Sequence, residues 1–231
     1  MINIPLCMRD IGNLRQVNPD YKKQGGQIKF SKIELRHILI AVLVLSLAFT
    51  ILRLRMFWHP EDVYMQVFAV CVVVVVFSFL IHELGHKFVA QRYGAWSEFR
   101  AYPMGLLMAM VSALIGFLFA APGAVYVHGN ITHVENGKIS LAGPATNFIV
   151  AGIVIAVLLV VDIYSMPFWI GFTMFQLAYL NAFLGLFNLI PIPPFDGSKI
   201  VKWSINSYIM AVVIGVIELG MILFYIQTPY F

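Results

Sequence analysis

Three side chains in the motif His-Glu-Leu-Gly-His at positions 82–86 have the types and the spacing to bind a metal ion and activate water. On a helix, His82 and His86 lie one turn apart on the same face, where both imidazoles can reach one Zn²⁺ ion. Glu83 adjoins the first histidine and can act as a general base toward a zinc-bound water. The motif ends an apolar run that begins at Val63, and polar groups placed there indicate a functional site.

A third metal ligand is expected from another part of the chain, because a catalytic zinc has three protein ligands and one open position. The stretch from Asn188 to Asp196 contains prolines at 191, 193 and 194, which cannot continue a helix. The extended backbone that results needs protein or water around it at membrane depth. We therefore prefer Asp196 to two other carboxylates, Asp162 and Glu218. Asn188 is a candidate hydrogen-bond donor to a tetrahedral intermediate.

The composition is that of a polytopic membrane protein. Of the 231 residues, 61% are hydrophobic and 11% are charged, whereas a soluble domain has roughly 25% charged residues. Lys and Arg concentrate beside the apolar segments, as orientation signals do, so the net charge of +4 requires no nucleic-acid partner. The two cysteines, Cys7 and Cys71, have neither the number for a disulfide framework nor metal-ligand spacing.

Five apolar segments are predicted to span the membrane as helices, at about 37–54, 63–93, 141–161, 167–189 and 208–226. A sixth, 104–121, lies between Pro103 and Pro122 and contains Gly105 and Gly116. We interpret it as a re-entrant hairpin of broken helix or strand that lines a cavity, although its length would also allow a sixth full span. The predicted fold class is therefore all-α, with about five to six transmembrane helices and a re-entrant segment after the second.

The segment 125–140 is predicted to be a polar loop. It contains His128 and His133, which we interpret as solvated residues rather than as metal ligands. The third span would then begin at about residue 141 and carry Pro144 in its first turn, where proline is well tolerated. Asn147, one turn into this span, needs a hydrogen-bonding partner.

The chain divides into a polar N-terminal segment, 1–36, and an integral membrane domain, 37–231. The catalytic core of that domain is about 63–203, and its re-entrant segment is about 102–127. The cationic N-terminus predicts a cytoplasmic start. With five full spans, Asp196 lies on the same side as His82 and His86. We therefore expect a multi-pass protein of the cell membrane, with its N-terminus and the opening of the site toward the cytoplasm.

The order of the motifs resembles that of the site-2 protease family of intramembrane zinc metalloproteases. The resemblance covers about 63–203 and rests on three motifs: His82-Glu83-Leu84-Gly85-His86, Gly143-Pro144-x-x-Asn147 and Asn188-Leu-Ile-Pro-Ile-Pro-Pro-Phe-Asp196-Gly197.

This resemblance implies one zinc ion per chain, bound by His82, His86 and Asp196. It implies Glu83 as the catalytic base and Asn188 as a contact to the substrate or the oxyanion. The implied reaction is hydrolysis of peptide bonds within or near transmembrane segments of other membrane proteins, in regulated intramembrane proteolysis.

The resemblance also implies that Asn147 supports the core of the site. The implied partners are the lipid membrane and a transmembrane protein substrate that arrives laterally from the bilayer. We expect the first and last spans to border its path. The sequence does not define an oligomeric state.

Two other functions are alternatives. A divalent-metal transporter could use the same His-rich intramembrane site, but it would normally have further ligands on neighbouring spans and signs of an internal repeat. Neither is evident, because the other histidines lie in loops or at the ends of spans. A purely structural membrane protein would leave the polar groups in the apolar segments unexplained.

Overall fold

The computed structural model describes residues 28–56, 63–161 and 165–225. Within these ranges, five helices are long and apolar enough to cross a membrane, which confirms the predicted all-α polytopic fold. Residues 1–27 lie outside the described part of the chain. The helices are α1 (Lys32–Met56), α2 (Tyr64–Val75), α3 (Ile81–Arg92), α4 (Pro103–Ile115), α5 (His133–Val160), α6 (Phe168–Asn188), α7 (Gly197–Trp203) and α8 (Ile205–Tyr225).

The second span consists of α2, a π-helical turn at Val76–Leu80, and α3, in one continuous helix of 29 residues. The π turn ends just before His82, and turns of this kind occur frequently at functional sites. His82, Glu83 and His86 are all buried on α3. The histidine spacing therefore does place both imidazoles on one inward face.

Between the second and third spans the chain forms a two-stranded hairpin that encloses a short helix. Strand β1 (Trp96–Ala101) pairs antiparallel with β2 (Gly123–His128). The end of β2 therefore lies beside the start of β1, near the C-terminal end of α3. Helix α4 is capped at its C-terminal end by Gly116, which has a left-handed backbone conformation with a φ of 105°. At 13 residues, α4 is about 20 Å long, shorter than the roughly 30 Å apolar core of a bilayer. Its re-entrant position in the membrane remains a prediction.

The third span begins earlier than the sequence indicated. Helix α5 starts at His133 with a reciprocal capping box between Thr132 and Glu135. The predicted loop at 125–140 is therefore wrong, because its residues complete β2 and build the first two turns of α5. Pro144 consequently lies in the interior of the helix rather than in its first turn. These turns are polar, so they were predicted as a loop. The Thr132–Glu135 capping box could have identified the start of the helix from the sequence.

Helix α5 is the central element of the bundle, packing against α3, α6, α7 and α8. Its contact with α6 includes the buried small residues Ala151, Ala178 and Ala182, which allow membrane helices to approach closely. Helix α1 packs on the other side, against α2, α4 and β1. The motif on α3 therefore lies between the central helix α5 and the β hairpin.

Candidate metal centre

The end of the second span and the loop before α7 bring three potential ligand atoms together. His82 Nε2 and His86 Nε2 lie 3.1 Å apart, and Asp196 Oδ2 is 3.5 Å from the first and 3.0 Å from the second. Ligands about 2.0–2.1 Å from a tetrahedral zinc are roughly 3.3 Å from one another. These atoms thus have the spacing of a zinc site, and they are the one such group among the residues that the structure describes.

Hydrogen bonds to the other ring nitrogens orient the two histidines. His82 Nδ1 is 2.5 Å from Asn147 Oδ1, and His86 Nδ1 is 2.7 Å from the Ile139 carbonyl oxygen. Because both oxygens are acceptors, each Nδ1 is the protonated nitrogen and each Nε2 presents a lone pair. Two lone pairs and a carboxylate that converge on one point repel one another unless a cation lies between them. The donor set therefore fits a bound Zn²⁺.

Gly143 keeps open the space beside the ligands. A Cβ atom at this position of α5 would overlap the Nε2 atoms of both His82 and His86. On the facing side, a Cβ at Gly85 would come within 2.8 Å of the Ala142 carbonyl oxygen. The two glycines allow α3 and α5 to approach closely while leaving room for an ion.

Glu83 points toward the hairpin rather than into the ligand group. Its Oε2 accepts a hydrogen bond from the Val125 N–H of β2 at 3.2 Å. The side chain is 9% exposed. A buried carboxylate that adjoins the ligands without belonging to them is available to transfer protons.

Asn188 is the last residue of α6, and its side-chain amide is bonded within its own helix. The Nδ2 atom donates to the Leu184 carbonyl oxygen at 2.9 Å. The predicted contact with substrate or oxyanion remains a prediction.

Several groups that support the ligands were not predicted from the sequence. Asn181 of α6 accepts a hydrogen bond from Asn147 and donates one to Ser78 Oγ, both at 2.8 Å. The Ile139 carbonyl orients His86. Asn181 could have been found as a polar amide inside a membrane-length apolar run. The contact of the Ile139 carbonyl with His86 could not be predicted from the sequence, because every residue has the same backbone carbonyl group.

The remaining candidates lie elsewhere. His128 ends β2 with its ring 5.4 Å from the Trp96 ring, and His133 begins α5. Glu218 lies in α8 and outside the ligand group, and Asp162 is outside the described residues. Of the carboxylates considered for the third ligand, the structure brings Asp196 to the two histidines.

A helical bundle of membrane spans that holds two histidines, an aspartate and an adjacent glutamate has the architecture of a membrane metalloprotease. The sequence profile of Peptidase family M50 matches residues 165–212. The chain is 41% identical to the provisionally named zinc metalloprotease MJ0611 of Methanocaldococcus jannaschii. The 187 aligned residues cover 80% of this chain and 91% of the relative.

Two further relatives are more distant. The zinc metalloprotease MJ0392 of the same organism is 29% identical over 74% of this chain and 41% of its own length. The provisionally named zinc metalloprotease YwhC of Bacillus subtilis is 30% identical over 57% of this chain and 67% of its own. No solved structure matches the chain significantly. The chain therefore belongs to peptidase family M50, the site-2 protease family of membrane zinc metalloproteases.

Proposed function

We propose that the protein is an intramembrane zinc metalloendopeptidase that cleaves peptide bonds within or near transmembrane segments of other membrane proteins. The observation that carries the proposal is the convergence of His82, His86 and Asp196 at zinc spacing, with Glu83 beside them at the end of a membrane-length helix. Membership of a family of zinc metalloproteases supports it.

In this proposal, His82 and His86 hold one zinc ion through Nε2 and Asp196 holds it through Oδ2. When bound, zinc lowers the pKa of water and polarises a peptide carbonyl. Glu83 takes a proton from the attacking water and delivers it to the leaving amide nitrogen. The Val125 N–H holds one carboxylate oxygen of Glu83, which leaves Oε1 to carry the proton.

Asn188 is proposed to donate to the oxygen of the tetrahedral intermediate. Its Nδ2 carries two N–H groups, of which one donates to the Leu184 carbonyl oxygen and the second is available for this role. Preorganised donors of this type contribute a factor of roughly 10²–10³ to the rate.

An apolar cavity supports lateral access of a transmembrane substrate. It has a volume of about 560 Å³ and lies between α1, the second span and α6. The α6 wall is a column of stacked rings, Phe175, Tyr179, Phe183 and Phe187, with centroids about 6 Å apart. Phe187 contacts Phe195, which precedes Asp196. None of the described α8 residues lines the cavity, so we place access between α1 and α6 rather than beside the last span.

We further propose that the protein resides in the cell membrane, with its site open toward the cytoplasm, and that it acts in regulated proteolysis. By chain order, the ends of α3 and α6 and the starts of α1, α5 and α8 share one side of the bundle. Cationic residues at these ends support a cytoplasmic position under the positive-inside rule: Lys32, Arg92, Lys138, Lys199 and Lys202.

The test is cleavage of a membrane-inserted substrate by purified protein and by a Glu83→Gln variant, with bound zinc measured in both. We expect cleavage by the native protein and a loss of about 10²–10⁴-fold in the variant, the usual contribution of a general base. Zinc should stay near one ion per chain, because Glu83 is not one of the ligands.

The transporter alternative predicts a different result. Vesicles that contain the protein would take up zinc in a His82-dependent way, and neither form would cleave any of several transmembrane substrates. That combination would refute the protease proposal.

A further inference from the structure

Two glutamates bind the opposite edges of the β hairpin at the same rung. Phe99 of β1 faces Val125 of β2 across the ladder. The Phe99 N–H donates to Glu34 Oε1 at 2.9 Å, and the Val125 N–H donates to Glu83 Oε2 at 3.2 Å. In an antiparallel ladder, alternate pairs of facing residues direct their N–H groups away from each other. One rung therefore connects a glutamate of α1 with the proposed catalytic base.

The second oxygen of Glu34 forms a buried ion pair. Glu34 and Lys87 are both 0% exposed, and Lys87 Nζ is 2.9 Å from Glu34 Oε2. Lys87 also donates to the Ser97 carbonyl oxygen of β1 at 2.8 Å. Each Glu34 oxygen thus has a donor of its own. Such complete hydrogen bonding is what a buried ion pair requires to offset its desolvation.

These contacts form a closed ring that begins and ends on α3. Lys87 binds Glu34, Glu34 binds the Phe99 amide, Phe99 pairs with Val125, and the Val125 amide binds Glu83. Glu83 and Lys87 are four residues apart and so lie on the same face of the helix. A shift of the hairpin relative to α1 would therefore move the Val125 N–H relative to Glu83.

We propose that Glu34 is a positioning residue for the reaction. Its acceptor oxygen holds β1 at a fixed depth against α1 through the Phe99 N–H, and through the rung it holds the Val125 N–H against Glu83 Oε2, while Lys87 neutralises its buried charge. The inference rests on the proposed protease function, because it assigns the orientation of the base in that reaction. A displacement of about 1 Å in a catalytic group can lower a rate by roughly 10².

The N–H groups on the outer edge of β1 can be hydrogen-bonded without an ion pair. Two residues further along the same edge, the Ala101 N–H donates to His37 Nδ1 at 3.2 Å without one. Apolar residues of similar volume often replace a buried ion pair without loss of stability. What distinguishes Glu34 is its acceptor oxygen, which joins α1 to the hairpin at the rung that also bonds Glu83.

The experiment compares two double variants that both remove the ion pair. Glu34→Leu with Lys87→Met also removes the acceptor for the Phe99 amide, whereas Glu34→Gln with Lys87→Met retains an oxygen acceptor there. Neither variant leaves an unpaired buried charge. For both, kcat, KM and bound zinc are measured with the membrane-inserted substrate, and amide hydrogen exchange is measured over residues 123–128.

We expect the Glu34→Leu double variant to lose at least tenfold in kcat, with KM and zinc content within twofold of the native values. Exchange over 123–128 should accelerate. The Glu34→Gln double variant should stay within threefold of the native kcat. Native kcat in the first variant, or an equal loss in both, would overturn the proposal.

Two further outcomes are also decisive. If the Glu34→Leu double variant does not fold, near-native kcat in the Glu34→Gln double variant supports the proposal, and a tenfold loss at full zinc content overturns it. If the native protein cleaves none of several membrane-inserted substrates and takes up zinc instead, the protease proposal fails. The exchange measurement still reports whether the Glu34 acceptor holds the hairpin, and unchanged exchange over 123–128 in the Glu34→Leu double variant would overturn that role.

Discussion

Asn147 orients the first histidine ligand through hydrogen bonds that reach two other spans. Its Oδ1 accepts from His82, while its Nδ2 donates to the Ser78 carbonyl oxygen at 2.9 Å and to Asn181 Oδ1 at 2.8 Å. The side chain is fully buried. A partner of this kind fixes the tautomer of a metal-binding histidine and increases its basicity. In the proposed zinc site, we therefore expect Asn147 to be an indirect determinant of metal affinity.

Replacing Asn147 should weaken zinc binding. We expect Asn147→Leu to reduce zinc affinity by about 10–100-fold, the usual cost of losing a partner of a ligating histidine. Competition with a chelator of known affinity measures the change. The matched control is Asn206→Leu, at an exposed position of α8, which should bind zinc like the native protein. Equal affinities in the two variants would contradict the role of Asn147.

At the scale of elements, the contact between α3 and α5 determines whether an ion fits. Gly85 and Gly143 bring the helices together, and the Gly143 position faces both histidines directly. In an exposed helix, alanine is about 1 kcal/mol more favourable than glycine. The glycine at this position therefore costs helix stability and provides space.

We predict that Gly143→Ala abolishes zinc binding at micromolar zinc, because the added methyl group overlaps both ligand nitrogens. Metal content and thermal unfolding are the measurements. Gly220→Ala in α8 is the control, since a Cβ there meets nothing within 4 Å. The control should bind zinc normally and gain up to about 1 kcal/mol. Normal zinc binding by Gly143→Ala would show that the helices can separate.

At the scale of the whole molecule, the bundle has a central helix and an open apolar side. Helix α5 contacts α3, α6, α7 and α8, whereas α1 packs on the far side against α2, α4 and β1. The cavity between α1 and α6 is lined by the aromatic column, whose last ring, Phe187, contacts Phe195 next to Asp196. We infer that a substrate segment packs against this column.

Removing one ring from the column should raise KM more than it lowers kcat. Phe183 lines the cavity and is 43% exposed. Inside a bilayer its ring attracts a substrate segment through van der Waals contacts rather than the hydrophobic effect, and at roughly 0.1–0.2 kcal/mol per atom pair these are worth on the order of 1 kcal/mol. We expect Phe183→Ala to raise KM about fivefold to tenfold at nearly native kcat. Phe224→Ala, on the lipid-facing surface of α8, is the control and should leave KM unchanged. An unchanged KM for Phe183→Ala would place the substrate elsewhere.

The sequence was sufficient to predict the spans and most of the residues proposed for the site. The metal-binding motif is a local pattern, because on any helix its spacing places His82 and His86 on the same face beside Glu83. The prolines before Asp196 likewise end a helix in any context. The start of α5 was placed eight residues too late, because the polar stretch 133–140 lacks the apolar character by which spans are recognised. The capping box between Thr132 and Glu135 is a local signal for the start of a helix, and the helix begins there despite the polar residues.

The sequence by itself determined the class of fold, the metal-binding motif and the family resemblance, because these depend on hydrophobicity and short-range spacing. The sequence also made Asp196 the preferred third ligand. The tertiary structure alone decided that Asn147 and the Ile139 carbonyl orient the two histidines and that one rung of the hairpin joins Glu34 to Glu83. The hydrogen bonds among these contacts link residues more than 40 positions apart. They arise from the packing of helices and strands, which short-range patterns do not specify.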